Sequence, residues 1–198
     1  MDGVLGLHGG AELREACRRV PVRDGVELVG GGGNAVGGYG VVRCPVGTAV
    51  STPACGSAVR EHYDTVVHTV PPLWPGCGGS KWSVDTARRL LRSCYVESLD
   101  TALRLLGADV VRLPLLGAGA RRTPLDEAVN CLVEGVAQGV AQGVVQGVAQ
   151  GVVQGVVQGP ETGRGPGSPV YLQIVVLDSH VADLLVGLFG EQLKGQEC

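Results

Sequence analysis

A layered α/β domain, with helices on both faces of a sheet, is what this sequence predicts, and three features predict it. Apolar, β-branched runs at Thr65 to Val70 and at Val170 to Leu177 read as strands, and a long amphipathic helical pattern from Ser83 to Leu106 lies between them. A third piece, Asp109 to Glu134, carries a strand, a glycine turn and a helix start in one continuous stretch. Strands alternating with helices in this way must cover both faces of the sheet to bury its apolar side chains.

The chain has 198 residues and 44% apolar content, enough to bury one proper core, so a single domain is expected. A net charge of −3 and 4% aromatic residues leave neither a basic field nor stacking groups for nucleic acid. The seven cysteines are scattered, with no CxxC and no His at zinc-ligand spacing from a Cys pair. They read as free or buried thiols in a reducing compartment, with no metal or cofactor implied. Asp2 stands where a secretory signal needs basic residues, and no apolar run is long enough to span a membrane. A cytoplasmic or nuclear protein without membrane contact is the expectation.

In chain order, a glycine loop (Gly3, Gly6, Gly9, Gly10) leads into a short amphipathic helix from Ala11 to Val20, with Leu13, Ala16, Cys17 and Val20 on one face. Residues 23–43, dominated by glycine, read as a loop insertion, because no helix start follows to make Gly30 to Gly33 a phosphate cradle. Thr48 to Thr52 is a short strand and Thr65 to Val70 a better one, closed by Pro71 and Pro72. His68, inside that strand, reads as a packed structural residue. Ser83 caps the long helix, whose apolar stripe ends at Gly107, and Arg88, Arg89 and Arg92 read as its solvated face.

The strand at Val110 to Leu113 ends in Leu115-Leu116-Gly117-Ala118-Gly119-Ala120, small residues that let the backbone turn sharply and expose N–H groups. Thr123 is the expected N-cap of the next helix, with Pro124 at its first position and Asp126 and Glu127 in its first turn. Unpaired N–H groups and the positive end of that helix then lie beside the glycine turn, which is equipment for binding an anion. Six Gly-Val-(Ala/Val)-Gln units follow from Gly135, a tandem repeat read as an insertion that carries no function. The expected organisation is a core at 1–134, a repeat and Gly/Pro linker at 135–169, and a strand and helix at 170–198 that complete the same domain.

These segments, in order, resemble a macrodomain, the ADP-ribose-recognising α/β/α fold. The resemblance rests on Asp2-Gly3 with Gly10-Ala11-Glu12-Leu13 and Cys17-Arg18, on CPVGTAVST at Cys44 to Thr52, and on VVHTVPPLW at Val66 to Trp74. It continues in RSCYVESLDTAL at Arg92 to Leu103 and LPLLGAGARRTPLDEA at Leu113 to Ala128. It implies a three-layer fold with a central mixed sheet. The family's first strands and its Asn-rich segment with a glycine triplet would precede Asp2, so a fold lacking its first strands is expected. Pro71 replaces a family glycine, and Arg121-Arg122 stand where an aromatic residue and a glycine are usual, which strains the turn if φ is positive at Arg122.

For function, the resemblance implies binding of ADP-ribose or an ADP-ribosylated protein. Gly3 and Val4 would belong to the loop around the distal ribose and diphosphate, and Gly117, Ala118, Gly119, Ala120 and Arg121 to the second phosphate loop. Asp2 would be the catalytic carboxylate that positions water, as in hydrolases that remove ADP-ribose from mono-ADP-ribosylated proteins or deacetylate O-acetyl-ADP-ribose. The alternatives are a non-catalytic ADP-ribose reader and a truncated, inactive macrodomain fragment.

Overall fold

Helices and strands alternate through residues 4–23, 42–141, 156–158 and 169–175, the parts of the chain that the structure, a computed structural model, describes. They are α1 (Val4–Arg19), β1 (Ala49–Pro53), α2 (Ser57–Arg60), β2 (Thr65–Thr69), α3 (Val84–Leu99), β3 (Val110–Pro114), α4 (Leu125–Ala141), β4 (Val156–Gln158) and β5 (Pro169–Val175). β1 and β2 form an antiparallel pair in which Val50 faces His68. A second sheet runs in the order β3, β5, β4; β5 is parallel to β3, with Val111 beside Leu172, and antiparallel to β4.

Helix α3 begins as its sequence predicts, the Thr86 N–H donating to the Ser83 hydroxyl at 3.2 Å. Its inward face carries Ala87, Leu91, Cys94, Tyr95 and Leu99, none of them exposed. The helix then continues as a π-helical turn over Asp100–Leu105, which the sequence pattern did not indicate, and ends at Gly107 with φ of 65°. That turn carries Leu105 and Leu106 outward, so the apolar stripe stops at Leu103. β3 alternates between exposed and buried residues, with Val111 and Leu113 inward and Val110 outward.

The core is the contact between α3 and α4, joined by Val111 and Leu113 of β3 and Leu172 of β5. Glycine makes this contact close. A Cβ at Gly135 would stand 2.8 Å from the Cβ of Tyr95 and 3.1 Å from the Arg92 carbonyl, and one at Gly139 would stand 3.2 Å from Leu99. Both glycines belong to the repeat array, so its first units are part of a helix packed on the core, whereas the sequence reading ended the core at residue 134. The last unit supplies β4. Packing overrides the poor helix propensity of Gly and Val here, because the missing side chains are what allow the helices to meet.

Arg88 and Arg92 are partly exposed, as a solvated face would be, but each is also paired across the helices. The Arg88 guanidinium forms a two-pronged pair with Glu127, its Nε 2.7 Å from Oε2, and Arg92 meets Glu134 at 2.8 Å. Each ties α3 to α4, leaving Arg89 as the exposed member of the three. At the N-terminus, α1 starts at Val4, and Gly6 and Gly9 of the expected glycine loop are helical, with a kink at Gly10, where φ is 57°. Glu12 anchors α1 to α2 by accepting the Gly56 N–H at 3.0 Å and pairing with Arg60 at 3.0 Å. Gly56, at φ of 80°, lets its backbone pass against the His8 carbonyl, where a side chain would collide.

The ends of the glycine-rich insertion meet, the Arg23 N–H donating to the Val42 carbonyl at 2.8 Å, while its interior lies outside the described residues. So do most of the repeat array, the linker after Pro160, and the helix expected after Leu177. Cys17, Cys44, Cys55, Cys77, Cys94 and Cys131 are free thiols.

The Arg88 hydrogen bonds hold the Glu127 carboxyl below its usual range. A lowered folded-state value means that the pair stabilises the fold above the ordinary glutamate pKa, and that this stability fades as pH falls through the folded value. Glu127→Gln is therefore expected to lower the urea midpoint at pH 7, with the gap to wild type closing in acid. A gap that stays constant down to pH 3 would remove the pair from the stability of the helix contact.

Candidate functional site

The glycine turn between β3 and α4 is held from three sides. β3 delivers the chain from the core, and the Leu116 N–H donates to the hydroxyl oxygen of the fully buried Tyr95 at 2.7 Å. On the far side, the Trp74 N–H donates to the Arg121 carbonyl at 3.0 Å, so the segment after β2 props the end of the turn. Within the turn, the Gly117 carbonyl accepts the Thr123 N–H at 3.0 Å and the Gly119 carbonyl accepts the Arg122 N–H at 2.8 Å. Three carbonyls of the turn are thus taken, two of them within it. Among the described residues, the N–H groups of Gly117, Ala118, Gly119, Ala120 and Arg121 have no internal acceptor.

Gly117 is required twice over. Its φ of 86° disfavours a side chain, and a Cβ there would lie 2.7 Å from the Thr123 hydroxyl. Thr123 is not the helix cap that the sequence suggested. Its side chain turns back toward Gly117, is buried, and its hydroxyl has no hydrogen-bond partner among the described residues. Helix α4 instead starts at Leu125, with the Ala128 N–H bonded to the Pro124 carbonyl at 2.9 Å. Arg122 has a φ of 56°, the left-handed conformation that the arginine-for-glycine difference put in question.

The charges around the turn favour an anion. Arg121 and Arg122 are exposed at its end, and the first turn of α4 begins beside it. Of the two acids in that first turn, Glu127 is already paired with Arg88, which leaves the exposed Asp126 as the opposing charge. The turn itself offers backbone groups, foremost its run of N–H donors. It holds no nucleophile and no base, and no cluster of metal-ligating residues exists among the described residues. The chemistry available here is recognition of phosphate oxygens by backbone N–H groups.

Of the other site residues read from sequence, Asp2 and Gly3 lie outside the described residues, and Val4 is the first residue of α1, which packs on α2 and β1. His68 has partners that the sequence did not reveal: the Thr52 hydroxyl at 2.8 Å and the Cys17 thiol at 4.0 Å from its Nε2. Burial lowers the His68 pKa and raises that of Cys17. A neutral imidazole beside an unactivated thiol is the reverse of a nucleophilic pair, and His68 is structural as read. Tyr95 and Trp74 are the site residues that sequence reasoning gave no role. Their family motifs pointed to the segments but not to the loop that they hold.

Two substitutions test this geometry. Thr123→Val replaces an unpartnered buried hydroxyl by a methyl group, so stability in urea is expected to hold or to rise by up to ~1 kcal/mol; a clear loss would mean that the hydroxyl has a partner. Arg122→Gly relieves the left-handed conformation, and a gain of roughly 0.5–1 kcal/mol is expected, net of glycine's greater freedom in the unfolded chain. A destabilised Arg122→Gly would show that the arginine side chain contributes more than its backbone costs.

Comparison with known proteins adds the lineage. The Macro domain family model matches residues 1–132. A curated macro domain-containing protein of Streptomyces coelicolor is 34% identical over 137 residues, which is 69% of this chain and 65% of that protein. The chain therefore spans just under two thirds of that relative's length. A variant of the Oceanobacillus iheyensis macrodomain solved with ADPR aligns at a TM-score of 0.57 and 18% identity, covering 98% of this chain and 79% of that one. The macro domain of ganglioside induced differentiation associated protein 2 aligns at 0.56 and 15% identity, covering 93% and 67%. At these identities the structural likeness is one of fold.

Proposed function

The chain belongs to the Macro domain family, and we propose that it binds ADP-ribose, free or attached to a protein, through the glycine turn at Gly117 to Arg121. One observation carries this reading: five consecutive N–H groups without internal acceptors, in a turn fixed by Gly117 and set against the start of α4. A diphosphate presents several anionic oxygens at the spacing of successive backbone N–H groups, and water is a poorer competitor in a preformed turn. Arg121 adds a charged donor at the end of the turn. On this reading Gly3 and Val4, the latter the first residue of α1, are assigned to the side of the distal ribose.

Catalysis is the finer part of the proposal and rests on Asp2. A carboxylate beside the distal ribose accepts a hydrogen bond from water and orients it there, which suits removal of ADP-ribose from a mono-ADP-ribosylated protein or deacetylation of O-acetyl-ADP-ribose. The second reading is a reader that binds an ADP-ribosylated protein without turnover, favoured by a turn that carries N–H donors but no nucleophile and no base.

Calorimetric titration with ADP-ribose, beside AMP and ribose-5-phosphate, tests the binding. Saturable binding selective for ADP-ribose is expected, weakened roughly 3- to 10-fold in Arg121→Ala. A folded sample that binds none of the three would overturn the reading. Release of ADP-ribose from a modified protein, abolished in Asp2→Ala, marks the hydrolase, whereas binding without release by the wild-type chain marks the reader.

A further inference from the structure

We propose that Tyr95 is a positioning residue for the diphosphate-binding turn, and that Gly135, the first glycine of the repeat array, fixes where Tyr95 stands. This rests on the reading of Gly117 to Arg121 as the ADP-ribose site. The Leu116 N–H is donated to the Tyr95 hydroxyl oxygen at 2.7 Å, and Leu116 immediately precedes the first of the free N–H groups. Tyr95 has no exposed surface, so its ring cannot follow the turn if the turn moves. The bond therefore works as a strut of fixed length from α3 to the point at which the turn begins.

The other end of the strut is set by α4. At Gly135 the α4 backbone lies where a Cβ would be 2.8 Å from the Tyr95 Cβ, 3.3 Å from its ring and 3.1 Å from the Arg92 carbonyl. The carbonyl belongs to the α3 backbone and cannot swing away, so a side chain at Gly135 must move one helix against the other. Because the turn is attached to α3 through Tyr95 and runs directly into α4, that movement changes the aim of its N–H groups. Tyr95 does not touch the ligand. It acts by keeping donors aligned before the ligand arrives, which lowers the ordering cost of binding.

Three measurements on the full chain test this: hydrogen exchange of the Leu116 amide in the unliganded protein, the thermal midpoint, and ADP-ribose affinity. Tyr95→Phe keeps the ring and removes only the hydroxyl. It is expected to speed Leu116 exchange at least tenfold and to weaken ADP-ribose binding about fivefold. Gly135→Ala is expected to weaken binding similarly. Leu103→Val, a core change eight residues beyond Tyr95 in the chain, is expected to lower the thermal midpoint while leaving both Leu116 exchange and affinity at wild-type values.

If affinity instead follows the thermal midpoint across all three variants, Tyr95 is merely a core residue and the proposal fails. It fails equally if Tyr95→Phe leaves Leu116 protected, or binds as tightly as a wild type that does bind. A wild-type chain that does not bind ADP-ribose overturns the functional reading instead. Leu116 exchange in Tyr95→Phe then decides the strut alone.

Discussion

Where Gly135 passes Tyr95, two helices approach more closely than any side chain at that point of α4 would permit. The larger of the two core clusters is built around this approach. The approach places Leu91, Tyr95 and Leu99 against Val129, Leu132 and Val136, brings Arg88 and Arg92 within reach of Glu127 and Glu134, and holds the Tyr95 hydroxyl at the base of the glycine turn. A helix contact made by absent side chains is unforgiving, since a close-packed interior has no slack into which an added methyl group can relax.

Local signals carried much of the fold. Ser83 followed by an apolar stripe fixed the start of α3, and β-branched runs located β2 and β5 to within a residue or two. What local signals could not carry was the partner across the fold. Arg88 and Arg92 look solvated because their acids lie on another helix, and His68 looks alone because Thr52 and Cys17 come from other elements. Thr123 misled for a different reason. It has the residue type and position of a cap, but the turn needs its side chain folded inward against Gly117, and a backbone constraint there outranks a local preference.

The candidate site was legible in part because it is made of backbone. A turn that binds through N–H groups leaves its mark as glycine and small residues, which Gly117 to Ala120 display directly. Its supports leave no such mark. Tyr95 sits in an apolar stripe and Trp74 in a proline-rich stretch, and only the fold brings both onto one loop. The arginine at 122 is the reverse case. The family pattern marks it as out of place, and its φ of 56° is the physical form of that mismatch.

Among the described residues, both ends of the repeat array belong to the fold: Gly135 to Ala141 complete α4, and Val156 to Gln158 form β4 beside β5. A four-residue unit advances a helix by roughly 400°, so each further glycine drifts about 40° from the line that faces α3. Few units can share that contact. Because the units are near-identical, losing or gaining one between the two anchors would restore the same residues at both ends. Slippage during copying of such a tract would therefore alter the protein's length while leaving α4 and β4 with the residues they have now. The number of copies is a quantity that selection on this core is nearly blind to.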